Sequence, residues 1–191
     1  MALQKLGFLT IGLFDPADPA AGHATTLEVI ELGERLGFDS AWLRHRHLQY
    51  GISSPVAVMA AASQRTSRIE LGTAVTPLGW ENPLRLAEDL ATVDILSGGR
   101  INPGVSVGPP RDYDDVKQAL YPDASDREDF SYQRVARLLS HIAGEPAARQ
   151  HVDRGEVLRQ PQRVLPAERD YRRAELDPPG ALRGRGQDRD R

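Results

Sequence analysis

The sequence predicts an α/β fold with a parallel sheet, built from about four successive β/α units and followed by a segment that has lost its hydrophobic pattern. Three observations predict it. Apolar runs of strand length begin near residues 6, 40, 69 and 101, a repeat of roughly 30 residues, which is what one strand and one return helix require. Each run is followed by a stretch whose apolar residues recur at helical spacing. After Gly144-Glu145-Pro146 both signals stop.

The first strand is read from Leu6 to Leu13, where Leu6, Phe8, Thr10 and Gly12 alternate with Gly7, Leu9, Ile11 and Leu13. Both faces are largely apolar, as in a parallel strand covered on two sides. Asp15 to Gly22 carries turn chemistry and is expected to be a loop. Thr25 or Thr26 then caps a helix that carries Leu27, Ile30, Gly33 and Leu36 and closes at Gly37. A second strand, Ser40–Leu43, runs into Arg44-His45-Arg46-His47. Ser54-Pro55 opens a helix packed through Val56, Met59 and Ala60, because proline tolerates the first helical position, where no donor is needed.

The third unit has the clearest signals. Ile69, Leu71, Thr73 and Val75 favour a buried strand, and Pro77 ends its ladder. Asn82-Pro83 starts a helix whose inner face holds Leu86, Leu90 and Val93, and Gly98-Gly99 stops it. A fourth strand, Ile101–Val105, follows. The residues from Gly108 to Tyr113 form a loop, Asp114–Leu120 a short helix, and Phe130–Ala143 a helix with Val135, Leu138, Leu139 and Ile142 inward. Four units occupy about half the roughly 250 residues of a complete eight-unit barrel.

Bulk properties exclude several function classes. With 40% hydrophobic and 27% charged residues, a formal charge of -3 and no cysteine, the chain lacks the basic excess expected for nucleic-acid or anionic-membrane partners. Disulfides, thiolate catalysis and cysteine metal sites are ruled out. Neither a signal-peptide core nor an apolar run of membrane-spanning length is present, so a cytoplasmic location is expected. From Pro146 to Arg191 arginine makes up roughly a quarter of the residues and Phe, Trp and Met are missing, a composition that reads as disorder-like. The expected division is therefore 1–145 and 146–191. The second segment is read as the product of a shifted reading frame, which yields a chain rich in Ala, Arg, Gly and Pro that abruptly loses its hydrophobic pattern. This is preferred to a solvated mixed-charge appendage, whose case for RNA the interleaved acidic residues weaken.

The candidate site lies where such folds place sites, at the strand C-termini. His45 and His47, two residues apart after the second strand, point to one side if the chain stays extended, which suits acid/base work; they also read as part of a plain polar loop. Thr73-Ala74-Val75-Thr76 offers small side chains beside which a flat ring lies close, and it reads equally as a packed strand end. Gly104 to Gly108 matches neither dinucleotide nor P-loop patterns, and Ser106 lacks a nucleophile elbow. Trp80 walls a pocket or shields the barrel end. No acidic residue or third histidine near the pair completes a metal set, so no metal is expected.

Taken together, Gly37-Phe38-Asp39-Ser40-Ala41-Trp42-Leu43, the histidine segment, Arg68 to Val75, Asn82 to Asp89 and Asp94 to Arg100 resemble the bacterial luciferase-like family of flavin-dependent monooxygenases and oxidoreductases over residues 5 to 145. The resemblance implies an incomplete (βα)8 TIM-type barrel. It implies reduced FMN as cofactor, with the deazaflavin F420 as the alternative; the partners implied are a small organic substrate, O2 and a flavin reductase. It assigns His47 to catalysis and Ala74, Val75, Ser106 and Val107 to the cofactor; His45, as a catalytic candidate, and Thr73, beside the ring, are added by the reading of the residues alone. Arg46 stands where the family's better-known catalytic histidine is found, which points to a different acid/base arrangement. Ala74-Val75 falls where the family often has a cis peptide. Because half a barrel leaves sheet edges unpaired, a homo-oligomer is expected, and a non-enzymatic half-barrel that self-associates is the alternative. A flavodoxin-like binder of another cofactor is disfavoured, since the first loop lacks a phosphate cradle.

Overall fold

The computed structural model describes residues 4–123 and 128–144; the expectations for 146–191 lie outside them. Strands β1 (Gly7–Thr10), β2 (Ser40–Leu43), β3 (Glu70–Pro77) and β4 (Ile101–Ser106) form a four-stranded sheet in the order β1-β2-β3-β4. All three pairings are parallel. Helices α1 (Pro19–Arg35), α2 (Pro55–Ser63) and α3 (Pro83–Ser97) make the crossovers. Sequential strands are thus neighbours, and their C-terminal ends share one rim.

Helix α1 begins earlier than the sequence predicts. Asp18 is its N-cap, accepting from the backbone N–H of Ala21 at 3.0 Å, and Pro19 follows at the first turn. The hydroxyls of Thr25 and Thr26 instead donate back to the carbonyls of Ala21 and Gly22 at 2.9 and 3.1 Å, inside the helix, a bond that mid-helix threonines form readily. Helix α3 starts as predicted, with Asn82 Oδ1 accepting from the N–H groups of Leu84 and Arg85. Ser54 sits at the equivalent place in α2 but makes no side-chain capping bond. Gly98 ends α3 with φ +70°, a left-handed conformation open to glycine.

The core lies between sheet and helices. Ala41, Leu43, Ile69 and Leu71 meet Ile30, Met59, Ala62, Ala87, Leu90 and Val93 there, and each large aliphatic side chain so buried contributes roughly 1.5–3 kcal/mol. Phe8 packs against α1 at Gly33, where an added Cβ would lie 2.3 Å from its ring. Leu36, just past the end of α1, is 68% exposed and not on the packing face.

Helices α4 (Tyr113–Leu120) and α5 (Gln133–Ile142) complete the described chain. In α5 Leu138 is buried, whereas Leu139 is 58% exposed, against expectation. Arg134, one turn before Leu138 and also buried, occupies the inward face and turns Leu139 out.

The end of the sheet away from the rim is held by two charged groups. The Glu34 carboxylate accepts from the backbone N–H groups of Ser67, Arg68 and Ile69 at 2.7–3.1 Å. Arg100 donates to the carbonyls of Ser63, Thr66, Ile69 and Ser97 and to the Thr66 hydroxyl, all at 2.8–2.9 Å. These groups gather the turns preceding β3 and β4. No described helix is long and apolar enough to cross a membrane.

Candidate active site at the strand C-terminal rim

The predicted pair is in contact: His45 Nδ1 lies 3.1 Å from His47 Nε2. His45 Nε2 lies 3.2 Å from the Thr76 hydroxyl. Thr76 in turn donates to Thr73 Oγ1 at 3.0 Å, and Thr73 donates to the carbonyl of Gly104 at 2.8 Å. The direction of this row follows from its end. A carbonyl only accepts, so Thr73 must give its proton there and Thr76 must give its own to Thr73. Thr76 then accepts from an Nε2–H of His45, which leaves His45 Nδ1 bare to accept from an Nε2–H of His47. With both rings neutral, the open lone pair is Nδ1 of His47.

Burial favours that neutral state. It holds His45 at about 4, with His47 as a second cause, and it also holds His47 below its ordinary value. The ring of His47 stacks on Trp80, centroids 4.2 Å apart and planes 6° from parallel. Trp80 therefore fixes the outer histidine.

Thr73 and Thr76 share a side because β3 is irregular. In an even strand, residues three apart face opposite ways. Here the register with β4 slips between Thr73 and Thr76, the Ala74-Val75 peptide is cis, and both hydroxyls turn inward. Thr73 and Thr76 are almost completely buried, whereas Val75 is 42% exposed. Thr73, predicted to touch a cofactor, is fully buried, with its hydroxyl bonded to Gly104 and Thr76. Arg44, His45, Ala74, Val75 and Pro77 line a cavity of about 370 Å³, within the usual range for small-molecule sites. Ser106 pairs in register with Pro77 at the end of β4, and Val107 lies one residue beyond; both are half-buried. Arg46 turns away, its guanidinium donating to Gln49 at 3.1 Å.

Sequence reasoning named Thr76 within the Thr73–Thr76 stretch but not its contact with Thr73, which strand alternation hides, and it missed two further participants. Glu81 follows the 3₁₀ turn Leu78–Trp80 and supplies the acidic neighbour absent from the linear order: ligand atoms of His45, His47 and Glu81 all lie within 4.8 Å of one another. Burial, and next the charge of Asp89, pushes its carboxyl up to about 7. Arg134 reaches from α5 to the same turn, donating to the carbonyls of Leu78 and Glu81 at 3.0 and 2.7 Å and to Tyr121 and Glu128, each at 2.7 Å. Glu88 and Asp89 pair with Arg85 on the polar face of α3.

The parallel β/α array carries a histidine pair at its C-terminal rim, and the chain belongs to the luciferase-like monooxygenase family, whose model matches residues 5–136. Limonene 1,2-monooxygenase of Rhodococcus erythropolis is 38% identical over 119 residues, 60% of this chain and 30% of that protein. The F420-dependent glucose-6-phosphate dehydrogenase of Amycolatopsis mediterranei is 36% identical over 93 residues, 46% of this chain and 28% of that one. Among solved structures, the oxygenating constituent of 3,6-diketocamphane monooxygenase from the CAM plasmid of Pseudomonas putida has a similar fold. That type II Baeyer-Villiger monooxygenase, solved with FMN, gives a TM-score of 0.58 at 18% identity, covering 73% of this chain and 39% of that one. F420 is thus named for a relative in sequence and FMN for a neighbour in fold. The chain spans roughly a third of the length of these relatives.

Proposed function

We propose that this chain is the N-terminal half of a flavin-dependent oxidoreductase of the monooxygenase class, which uses reduced FMN, or F420 in its place, to oxidise a small organic substrate. The observation that carries the reading is the meeting of His45, hydrogen-bonded to His47 behind it, and the Ala74–Val75 shelf at one cavity on the rim of a luciferase-like sheet.

The residues present fit such a ring. Ala74 and Val75 give a small apolar platform, Arg44 brings a positive charge to the same lining, and His45 borders it. When bound, the cofactor supplies the redox chemistry. The chain's share is positioning and proton handling. The bare Nδ1 of His47 takes a proton from substrate or solvent, and the resulting cation rests on the face of Trp80, which stabilises it. His45 Nδ1 accepts the Nε2–H of His47 and so holds that ring in place. Thr76 and Thr73 keep His45 in the tautomer that makes this bond. Ser106 and Val107, at the end of β4, border the cofactor from the neighbouring strand. O2 and a flavin reductase complete the partners in the FMN case.

Anaerobic equilibrium titration with reduced FMN and with F420 tests the proposal. Binding of one of them, weakened at least tenfold by Val75→Asp, is the expected result. If neither binds, the enzyme reading fails for this chain. A second reading, a non-enzymatic half-barrel that self-associates, is favoured by Leu6 and Leu9 at β1, the terminal strand of the described sheet, which are 46% and 49% exposed. Sedimentation velocity distinguishes it: a dimer that binds neither cofactor would support that reading.

A further inference from the structure

We propose that His45, His47 and Glu81 form a three-ligand site for a first-row divalent cation of the zinc class, with a coordination position left open toward the cavity that His45 lines. The proposal goes beyond the flavin reading and does not depend on it; a bound cation takes the place of the His45–His47 hydrogen bond at the same nitrogens.

Donor chemistry comes first. Two imidazoles and one carboxylate, with no thiolate, match the His2Glu set that zinc accepts in sites that keep a fourth position for water or substrate. They suit Mg2+ and Ca2+ poorly, since those ions take oxygen ligands. Spacing comes second. Two nitrogens bound at about 2.0–2.1 Å to one ion stand roughly 3.0–3.4 Å apart for angles between 90° and 110°, and His45 Nδ1 and His47 Nε2 are 3.1 Å apart. The full set lies within 4.8 Å, so closing it requires the Glu81 carboxylate to swing in by no more than about 1.5 Å. Its side chain is free to do so: no hydrogen bond or ion pair holds that carboxylate among the described residues.

The support around the ligands is the third argument. A metal-bound histidine usually donates its other ring N–H to a fixed acceptor, which sets tautomer and ring plane. His45 does so toward Thr76, and the row through Thr73 to the Gly104 carbonyl aims its bare Nδ1 at His47. Trp80 fixes the plane of His47. Arg134 clamps the backbone carbonyl of Glu81, so the third ligand rises from an anchored turn. On metal binding the Nε2 proton of His47 leaves and its Nδ1 takes one up, so the ring stays neutral.

Calorimetric titration of the flavin-free protein with Zn2+ and Co2+ provides the test, with Mg2+ and Ca2+ as controls. One equivalent of Zn2+ and of Co2+ is expected to bind, with affinity reduced at least tenfold in Glu81→Gln and in His47→Asn, and no saturable binding of the controls. Histidine 15N shifts of the unmutated protein assign the ligands without relying on a variant that folds: zinc should move Nδ1 of His45 and Nε2 of His47. Absence of Zn2+ and Co2+ binding overturns the proposal. So does binding that survives in Glu81→Gln, or 15N changes confined to His23, His141 or His151. Because no flavin is present, failure here leaves the flavin reading intact, and failure to bind FMN or F420 leaves this one intact.

Discussion

Replacing Arg134 by methionine should destabilise the protein by about 3–4 kcal/mol. The side chain is 1% exposed and donates five hydrogen bonds, to Leu78 O, Glu81 O, Asp129 O, the Tyr121 hydroxyl and the Glu128 carboxylate. Methionine preserves the stem and its packing. Leu78 O keeps a second donor in the N–H of Glu81, and Tyr121 still donates to the carbonyl of Gly79. What the substitution strands is the Glu81 carbonyl, at about 1–3 kcal/mol, and the Glu128 carboxylate. Breaking a buried pair costs about 3–5 kcal/mol, and the 23% exposure of Glu128 brings that share down toward about 1–2 kcal/mol. Set against a typical total of about 5–15 kcal/mol, the loss is large. Urea unfolding followed by circular dichroism reads the stability, and fluorescence reports on Trp80 within the released turn. Arg134→Lys, which keeps charge but lacks the planar fork, should lose about half as much. A methionine variant within about 1 kcal/mol of the parent would refute the assignment of Arg134 as the clamp of the site turn.

Three further outcomes follow from the geometry. His45, depressed to about 4, contributes stability that is present above pH 6.5 and lost as pH falls through its folded value; Glu81, raised to about 7, contributes stability present below pH 4.5 and lost as pH rises through its own. The two oppose each other between these limits, so Glu81→Gln should make the urea midpoint fall more steeply on acidification from pH 6.5 to 4.5, and an unchanged slope would contradict the assignment. Burial raises the Glu34 carboxyl, but the N–H groups of Ile69, Arg68 and Ser67 outweigh it and hold it below 4.5. Its contribution is therefore present above pH 4.5 and lost as acid protonates it, and Glu34→Gln should remove that dependence along with about 1 kcal/mol at neutral pH, read in the same melts. Gly72→Ala would place a Cβ 2.5 Å from the Asn102 carbonyl and 2.6 Å from the Trp42 ring, and a loss of about 1–3 kcal/mol is expected; a neutral effect would show that β3 and β4 can part.

The β/α order was legible because its signals are local. Alternation, helical spacing and the Asn82-Pro83 start need no knowledge of what lies across the sheet. The start of α1 was available too, since Asp18-Pro19 repeats the Asn82-Pro83 arrangement, but the surrounding Asp, Pro and Gly read as turn chemistry. The His45–His47 contact followed from extended spacing. Thr76 did not, because strand alternation places it opposite Thr73 and only the slip in register brings the hydroxyls together. Glu81 stands 34 residues beyond His47 and becomes its neighbour only when the loop after β3 folds over the rim. Arg134 was hidden for a different reason: periodicity assigns an arginine on a helix to solvent, and here the backbone carbonyls of the site turn draw it inside.

The two ends of the sheet are built to different rules. Glu34 and Arg100 tie the lower turns mostly through backbone atoms, with the Thr66 hydroxyl as a side-chain partner, an arrangement that asks little of the neighbouring side chains. At the upper rim, by contrast, Arg44, Ala74 and Val75 reach open space. Selection can therefore exchange rim side chains to suit a new reactant while the foundation stays put, which gives this scaffold latitude to diversify its chemistry without losing its shape.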